Sequence, residues 1–261
     1  MATQPPPGLP IFYNDLTPLQ SNLHGKFQTR AADKATYFAG HHAIPLTAEE
    51  FMNAQRYTPI VFSAGDNPVP LALMGLNDGV NVFLDDEGKA RTPFYVPAYV
   101  RRYPFMLARL TPDAQELSLC FDPTSDLMGE FTDANPLFDD GKPTDNLNNI
   151  LKFCEDFEMA AQRTAGFMEE IKALDLLMDG EVSIQPQGAE QPFIYRGFQM
   201  VSEDKLRELH GDQLRKLNQN GMLPLIYAHL FSLSLMSDIF SVQMQQGKVP
   251  LPEGQAAPVE A

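Results

Sequence analysis

The sequence predicts an α+β fold: an antiparallel β-meander in the N-terminal half, packed with a long amphipathic helix and a helical C-terminal part. Three observations carry this. Apolar runs at Val69 to Leu76 and Val80 to Leu84 flank Asn77-Asp78-Gly79, and an Asn/Asp-Gly turn between two such runs is a strong hairpin signal. Leu147, Ile150, Leu151, Cys154, Phe157, Ala161, Ala165, Met168, Ile171 and Leu174 recur at spacings of three and four, which lays one apolar stripe along a helix. From Leu225 to Phe240 the chain is apolar almost all round, as a helix enclosed by a core would be.

Taken in order, residues 1–33 are rich in proline and polar residues and read as a flexible arm in which only Ile11-Phe12-Tyr13 could dock. A single α+β domain is expected over residues 34–241, and a disordered tail over residues 242–261. Thr47 followed by Glu50 forms a capping box for a short helix through Phe51 and Ala54. Pro59 and Gly65 bracket Ile60-Val61-Phe62, a buried strand. A second turn at Asp85-Asp86-Glu87-Gly88 returns the chain through Phe94 to Val96. Phe105 to Leu110 and Leu117 to Phe121 read as an antiparallel pair, and Asp122 to Asp145 as a long acidic loop that wraps the surface or binds something.

Thr144 is the expected N-cap of the long helix, which runs to about Leu177 and spans roughly 50 Å at 1.5 Å per residue. Phe153 and Phe167 lie off its stripe, so it should touch elements on two sides. Val182-Ser183-Ile184 and Phe193 to Met200 read as a further hairpin. Ser202 and Asp212 are expected to cap two short helices, Asn220-Gly221 to stop the second, and Pro224 to open the last.

Composition excludes several functions. With 19 basic against 34 acidic residues the net charge is −15, which repels nucleic acid and anionic lipid. The run Met222 to Met236 falls short of the roughly 20 residues of a spanning helix and contains His229, so it reads as a core helix and no membrane span is expected. The first residues have neither a basic nor an apolar region of an export signal, so a cytoplasmic location is expected. Cys120 and Cys154 have no CxxC or histidine neighbour and read as buried thiols. No nucleophile elbow, phosphate loop, dinucleotide fingerprint or HExxH motif occurs, so no catalytic residue, cofactor or metal ligand is assigned. His229 reads as a hydrogen-bonded core histidine rather than a base.

One stretch, Pro93 to Leu110, concentrates aromatics, prolines and an arginine pair. If Pro97 to Tyr103 coils into a turn or two of helix, Tyr99, Val100 and Tyr103 share a face, Arg102 flanks it and Arg101 points away. A guanidinium beside tyrosines can hold a carboxylate through two parallel hydrogen bonds. Arg102, with Tyr99, Tyr103 and Arg101 around it, is therefore the candidate ligand-binding set. The competing reading pairs Arg102 with an aspartate of the Asp122 to Asp145 loop and pins that loop to the sheet. Ala228 and Ser232, small residues four apart, would let the last helix approach the long helix and a second subunit, so a homodimer is expected beside a small-molecule or peptide ligand.

The order of motifs resembles the bacterial SapC family. It is carried by Val69-Pro70-Leu71-Ala72-Leu73 with Gly75-Leu76, Asn81-Val82-Phe83, Tyr95-Val96-Pro97 and Arg102-Tyr103-Pro104-Phe105. It continues through Leu119-Cys120-Phe121-Asp122, Leu137-Phe138-Asp139, Gly141-Lys142-Pro143-Thr144 and Gly221-Met222-Leu223-Pro224-Leu225-Ile226-Tyr227, covering roughly Ile60 to Phe240. The resemblance implies a cell-surface or nutrient-uptake context by association and brings no catalytic residues. It is compatible with a non-enzymatic accessory protein that binds a small molecule, a peptide or a partner protein. Alternatives are an enzyme acting on an amino-acid or peptide substrate, and a surface-layer-associated structural protein.

Overall fold

A computed structural model of the chain describes residues 8–111, 113, 116–186 and 191–249. At its centre lies a five-stranded antiparallel sheet in the order Leu177–Asp179, Phe198–Val201, Ile60–Ser63, Pro70–Leu73, Ala43–Pro45. Successive side chains of a strand point to opposite faces. Ile60 and Phe62 accordingly enter the main core with Ile44 and Ala72, while Val61 joins Leu73, Phe198 and Met236 on the other side. Burial on both faces is why Ile60-Val61-Phe62 is an unbroken apolar run rather than an alternating one.

The long helix covers Asp145–Ala173, capped by Thr144, whose Oγ1 accepts the Leu147 N–H. Its N-terminal half sends Leu147 and Cys154 into a second core with Phe105, Phe121 and Leu137, and its C-terminal half sends Phe167, Met168 and Ile171 into the main core. That second core lies against a small sheet in which Ser118–Phe121 sits between Thr17–Pro18 and Phe105–Ala108. The helix thus ties two cores together, as its off-stripe aromatics implied.

Several expectations are corrected. Residues 8–33 are tied to the fold at several points rather than free of it. Tyr13 is fully buried and its hydroxyl donates to the Phe105 carbonyl over 2.8 Å, while the Asn14 N–H donates to Asp122 Oδ2. Gln28–Thr29 pairs with both Met128–Gly129 and Asn135–Pro136. The Phe12-Tyr13 pair offers enough apolar area to order a segment that its composition marks as an arm. At the other end the helix Leu235–Gln245 runs past the expected start of the tail. Gln243 is buried there, accepting the Leu76 N–H and donating to Asn77 Oδ1. The rest of that tail, residues 250–261, lies outside the described residues.

Val80 to Leu84 forms no strand: it has a Leu84–Ala90 bridge and scattered backbone bonds, from the Val82 N–H to the Met74 carbonyl, from the Val80 N–H to the Asn77 carbonyl and from the Arg91 N–H to the Phe83 carbonyl. The buried Asn81 side chain competes with a ladder there: Oδ1 accepts the Phe83 N–H and Nδ2 donates to the Phe38 carbonyl. Phe94 stacks on Phe83 instead of entering a strand. Val182–Ile184 pairs with Phe193–Tyr195 as expected, but Gly197, at φ 91°, breaks the segment and hands Phe198–Val201 to the central sheet. Four residues of the intervening loop, 187–190, lie outside the described ones. The helix Gly211–Gln219 is capped by His210 with Gln213 rather than by Asp212, which sits in its first turn.

Within the final apolar stretch, Met222 to Gln245, an 18-residue window reaches a mean hydropathy of 1.5, so the stretch is long and apolar enough to cross a membrane by length and composition. A turn at Leu233-Ser234 divides it into helices Met222–Ser232 and Leu235–Gln245. The first lies on the central sheet. His229 bonds both Ile60 and Val201, and Ser232 Oγ accepts the Ile60 N–H over 2.8 Å. Ala228 and Ser232 are therefore buried in the chain's own fold, Ser232 against this sheet.

Candidate functional site

Glu50 anchors the helical turn that carries the arginine pair. It is buried, and its two carboxylate oxygens accept four bonds. Oε2 takes the Thr47 N–H and hydroxyl at 2.9 and 2.8 Å, which completes the capping box foreseen from the sequence. Oε1 takes the Tyr95 hydroxyl at 2.9 Å and the Ala98 N–H at 2.6 Å. The second of these satisfies a free donor at the start of the helix Ala98–Arg101. Burial first, and then the Glu50 carboxylate, push the Tyr95 phenol up to about 12, so it stays a donor.

Arg102 follows directly after this helix and is only 6% exposed. Its guanidinium carbon lies 4.4 Å from the ring centroid of Tyr99 and 4.3 Å from that of Phe157, which is close range for a cation on two aromatic faces. Its ionic partner is Glu158 of the long helix, at a long 3.4 Å from Nη1. That corrects the expectation of an aspartate from the Asp122 to Asp145 loop. Asp122 is instead engaged by the N–H groups of Asn14 and Thr124 and by the Thr124 hydroxyl. Arg102 Nε is buried with no hydrogen-bond acceptor among the described residues. A buried donor on a charged group left in this state carries a free-energy cost of about 1–3 kcal/mol or more.

Arg102 lines a cleft of about 620 Å³ between the 29–38 segment, the arginine-bearing turn and one face of the long helix. Arg101 and Tyr103 line it too. Arg101 is exposed, lies 5.2 Å above the Phe153 ring, and donates from Nε to the Val96 carbonyl. It points away from the Tyr99 side of Arg102, as helical geometry requires, yet still reaches the cleft. Tyr103 stacks on Tyr37 at 4.3 Å. Tyr99 is on the far side of Arg102 and lines a second cleft. The four sequence candidates are therefore adjacent but divided: three face one cleft and the fourth backs onto another.

Sequence reasoning missed Arg30, Tyr37, Asn149 and Phe153, which also line the first cleft. Arg30 and Tyr37 lie in or just after the segment taken for a flexible arm. Phe153 was flagged as off the apolar stripe, and this was the usable signal. Cys154 lines the cleft as well, but burial pushes its thiol up to about 12, which keeps it protonated and unreactive at neutral pH. His229, in the core, is held by Ile60 and Val201 and lines neither cleft.

The family model for SapC matches residues 19–239 of the chain. No curated protein and no solved structure matches it.

Proposed function

Because the chain belongs to the SapC family, whose name points to a bacterial surface layer, we propose that it serves as an accessory protein that binds an anionic small molecule or the carboxylate end of a peptide in the Arg102 cleft. One observation carries the reading: in a chain of net charge −15, this cleft is lined, among the described residues, by three arginines, Arg30, Arg101 and Arg102, and one acid, Asp33, while Asp126 pairs with Arg30 and Glu158 with Arg102 from outside the lining. A local inversion of charge in a concave site focuses field lines and concentrates anions. Arg102 supplies a guanidinium already stripped of water, and Arg101 a second one at the exposed rim. A volume of 620 Å³ is within the range of small-molecule sites. The reading is binding rather than catalysis, in the cytoplasm, and an uptake-linked context is its natural setting.

Calorimetric titration of the full chain with acetate, benzoate and short peptides bearing a free carboxylate, against their amides, tests it. Carboxylates are expected to bind and amides to bind weakly. Arg102→Ala should abolish binding, Arg102→Lys should leave part of it, and Arg101→Ala should weaken it with little change in melting temperature. Equal binding of acids and amides, or unchanged binding by Arg102→Ala, would overturn the proposal.

A further inference from the structure

The second cleft, of about 390 Å³, lies between the 66–70 loop and the C-terminal half of the long helix. Its chemistry is opposite to that of the first. Leu46, Val69, Tyr99, Phe157 and Met168 supply apolar wall, and Ala161 and Ala165, one helical turn apart, hollow out the helix surface between them. Prolines at positions 45, 68 and 70 stiffen the facing loop and the ends of two strands, so the hollow is preformed rather than dependent on a moving segment.

The polar side chains buried in its wall are already satisfied. Thr164 Oγ1 accepts the Ala48 N–H and donates to the Ala160 carbonyl, each within 2.8 Å, and the Thr47 hydroxyl donates to Glu50. The Tyr99 hydroxyl donates to the Ile11 carbonyl. Among the described lining residues the charged side chains, Asp66, Glu169 and Lys172, are all exposed, and Lys172 Nζ donates to the Asp66 carbonyl. A buried anion or amine would find no free partner inside, and burying an unpaired charge is strongly unfavourable. A volume of 390 Å³ suits a small ligand, whereas a partner helix, about 10 Å across, needs a far longer trough.

We propose that this second cleft is a binding site for an uncharged, apolar small molecule, aliphatic or aromatic, separate from the anion site. Arg102 does not line it, so the assignment does not depend on the carboxylate reading.

The test is titration of the full chain with the neutral fluorophore 1-phenylnaphthylamine, which brightens on leaving water. One saturable site is expected. Ala165→Leu, at an exposed helical position where leucine is well tolerated, fills the hollow and should weaken binding by about tenfold or more without lowering helicity or melting temperature. Val69→Asp, on the opposite wall and already half exposed, should do the same by placing a charge in the apolar wall. Arg101→Ala should leave the probe bound. No saturable binding to the wild type, or binding by both filled and charged variants as tight as wild type, overturns the proposal. Loss of the probe in Arg101→Ala alone would assign it to the first cleft and also overturn it.

Discussion

The imidazole of His229 donates from Nδ1 to the carbonyl of Ile60 over 2.8 Å, while its Nε2 accepts the Val201 N–H over 3.0 Å. Together these contacts require the neutral ring with its proton on Nδ1. Burial, the largest effect, holds the pKa down to about 4 from 6.5. As pH falls below 6.5 the unfolded chain takes up a proton that the folded chain refuses until about pH 4. The contribution of this group is therefore complete above pH 6.5 and is lost as pH falls through 4, roughly 3 kcal/mol in all. Urea denaturation at pH 7 and pH 5 should show His229→Gln to be less stable at pH 7 and flatter between the two pH values than wild type.

Glu50 ties the Thr47 turn to the arginine-bearing helix. Glu50→Ala leaves four donors, two of them backbone, without their acceptor. A loss of about 3–5 kcal/mol is expected by urea denaturation. Glu50→Gln, which retains one carbonyl oxygen, should lose less. Equal stability of the alanine variant and wild type would show that the node is dispensable.

The N-terminal strap behaves as core. Tyr13→Phe removes the bond to Phe105 and should cost about 1 kcal/mol, whereas Tyr13→Ala, which empties a fully buried position, should cost about 3–5 kcal/mol. A true arm would tolerate either change within roughly 0.5 kcal/mol. Melting curves of the two variants distinguish these cases.

Both cysteines are free and buried, and burial raises both thiol pKa values. Iodoacetamide at neutral pH should leave the folded chain unlabelled over minutes, and denaturation should expose two reactive thiols to mass spectrometry. Fast labelling of Cys154 in the folded state would show that the first cleft is open to its floor.

Legibility in the sequence followed the range of the interactions. The long helix, its Thr144 cap, the Thr47–Glu50 capping box and the pairing of Phe105–Ala108 with Ser118–Phe121 rest on neighbours or on simple periodicity, and all were readable. The order of the central sheet was not, because Phe198–Val201 pairs with Ile60–Ser63, more than a hundred residues away, and brings its own partner Leu177–Asp179 with it. The course of Val80 to Leu84 was misread because one buried side chain, Asn81, takes bonds that a ladder would use. Arg102 stood out as a candidate from its tyrosine neighbours, but Phe157 and Glu158, which complete its surroundings, come from a helix more than fifty residues later. The second cleft left no mark at all, since alanines and prolines at such positions look like any helix face and loop.

The bond from Tyr13 to Phe105 spans 92 residues, and that from Asn14 to Asp122 spans 108. On a ribosome the aromatic pair Phe12-Tyr13 emerges early and must wait in water until the strand that receives it, and the loop behind that strand, have been made. Contacts of such separation form slowly because a long loop must close before they are rewarded. For that interval an apolar, aromatic segment is available to other surfaces. A fusion partner or surface attachment placed next to Gly8 would act on this step of assembly before it acted on the finished fold.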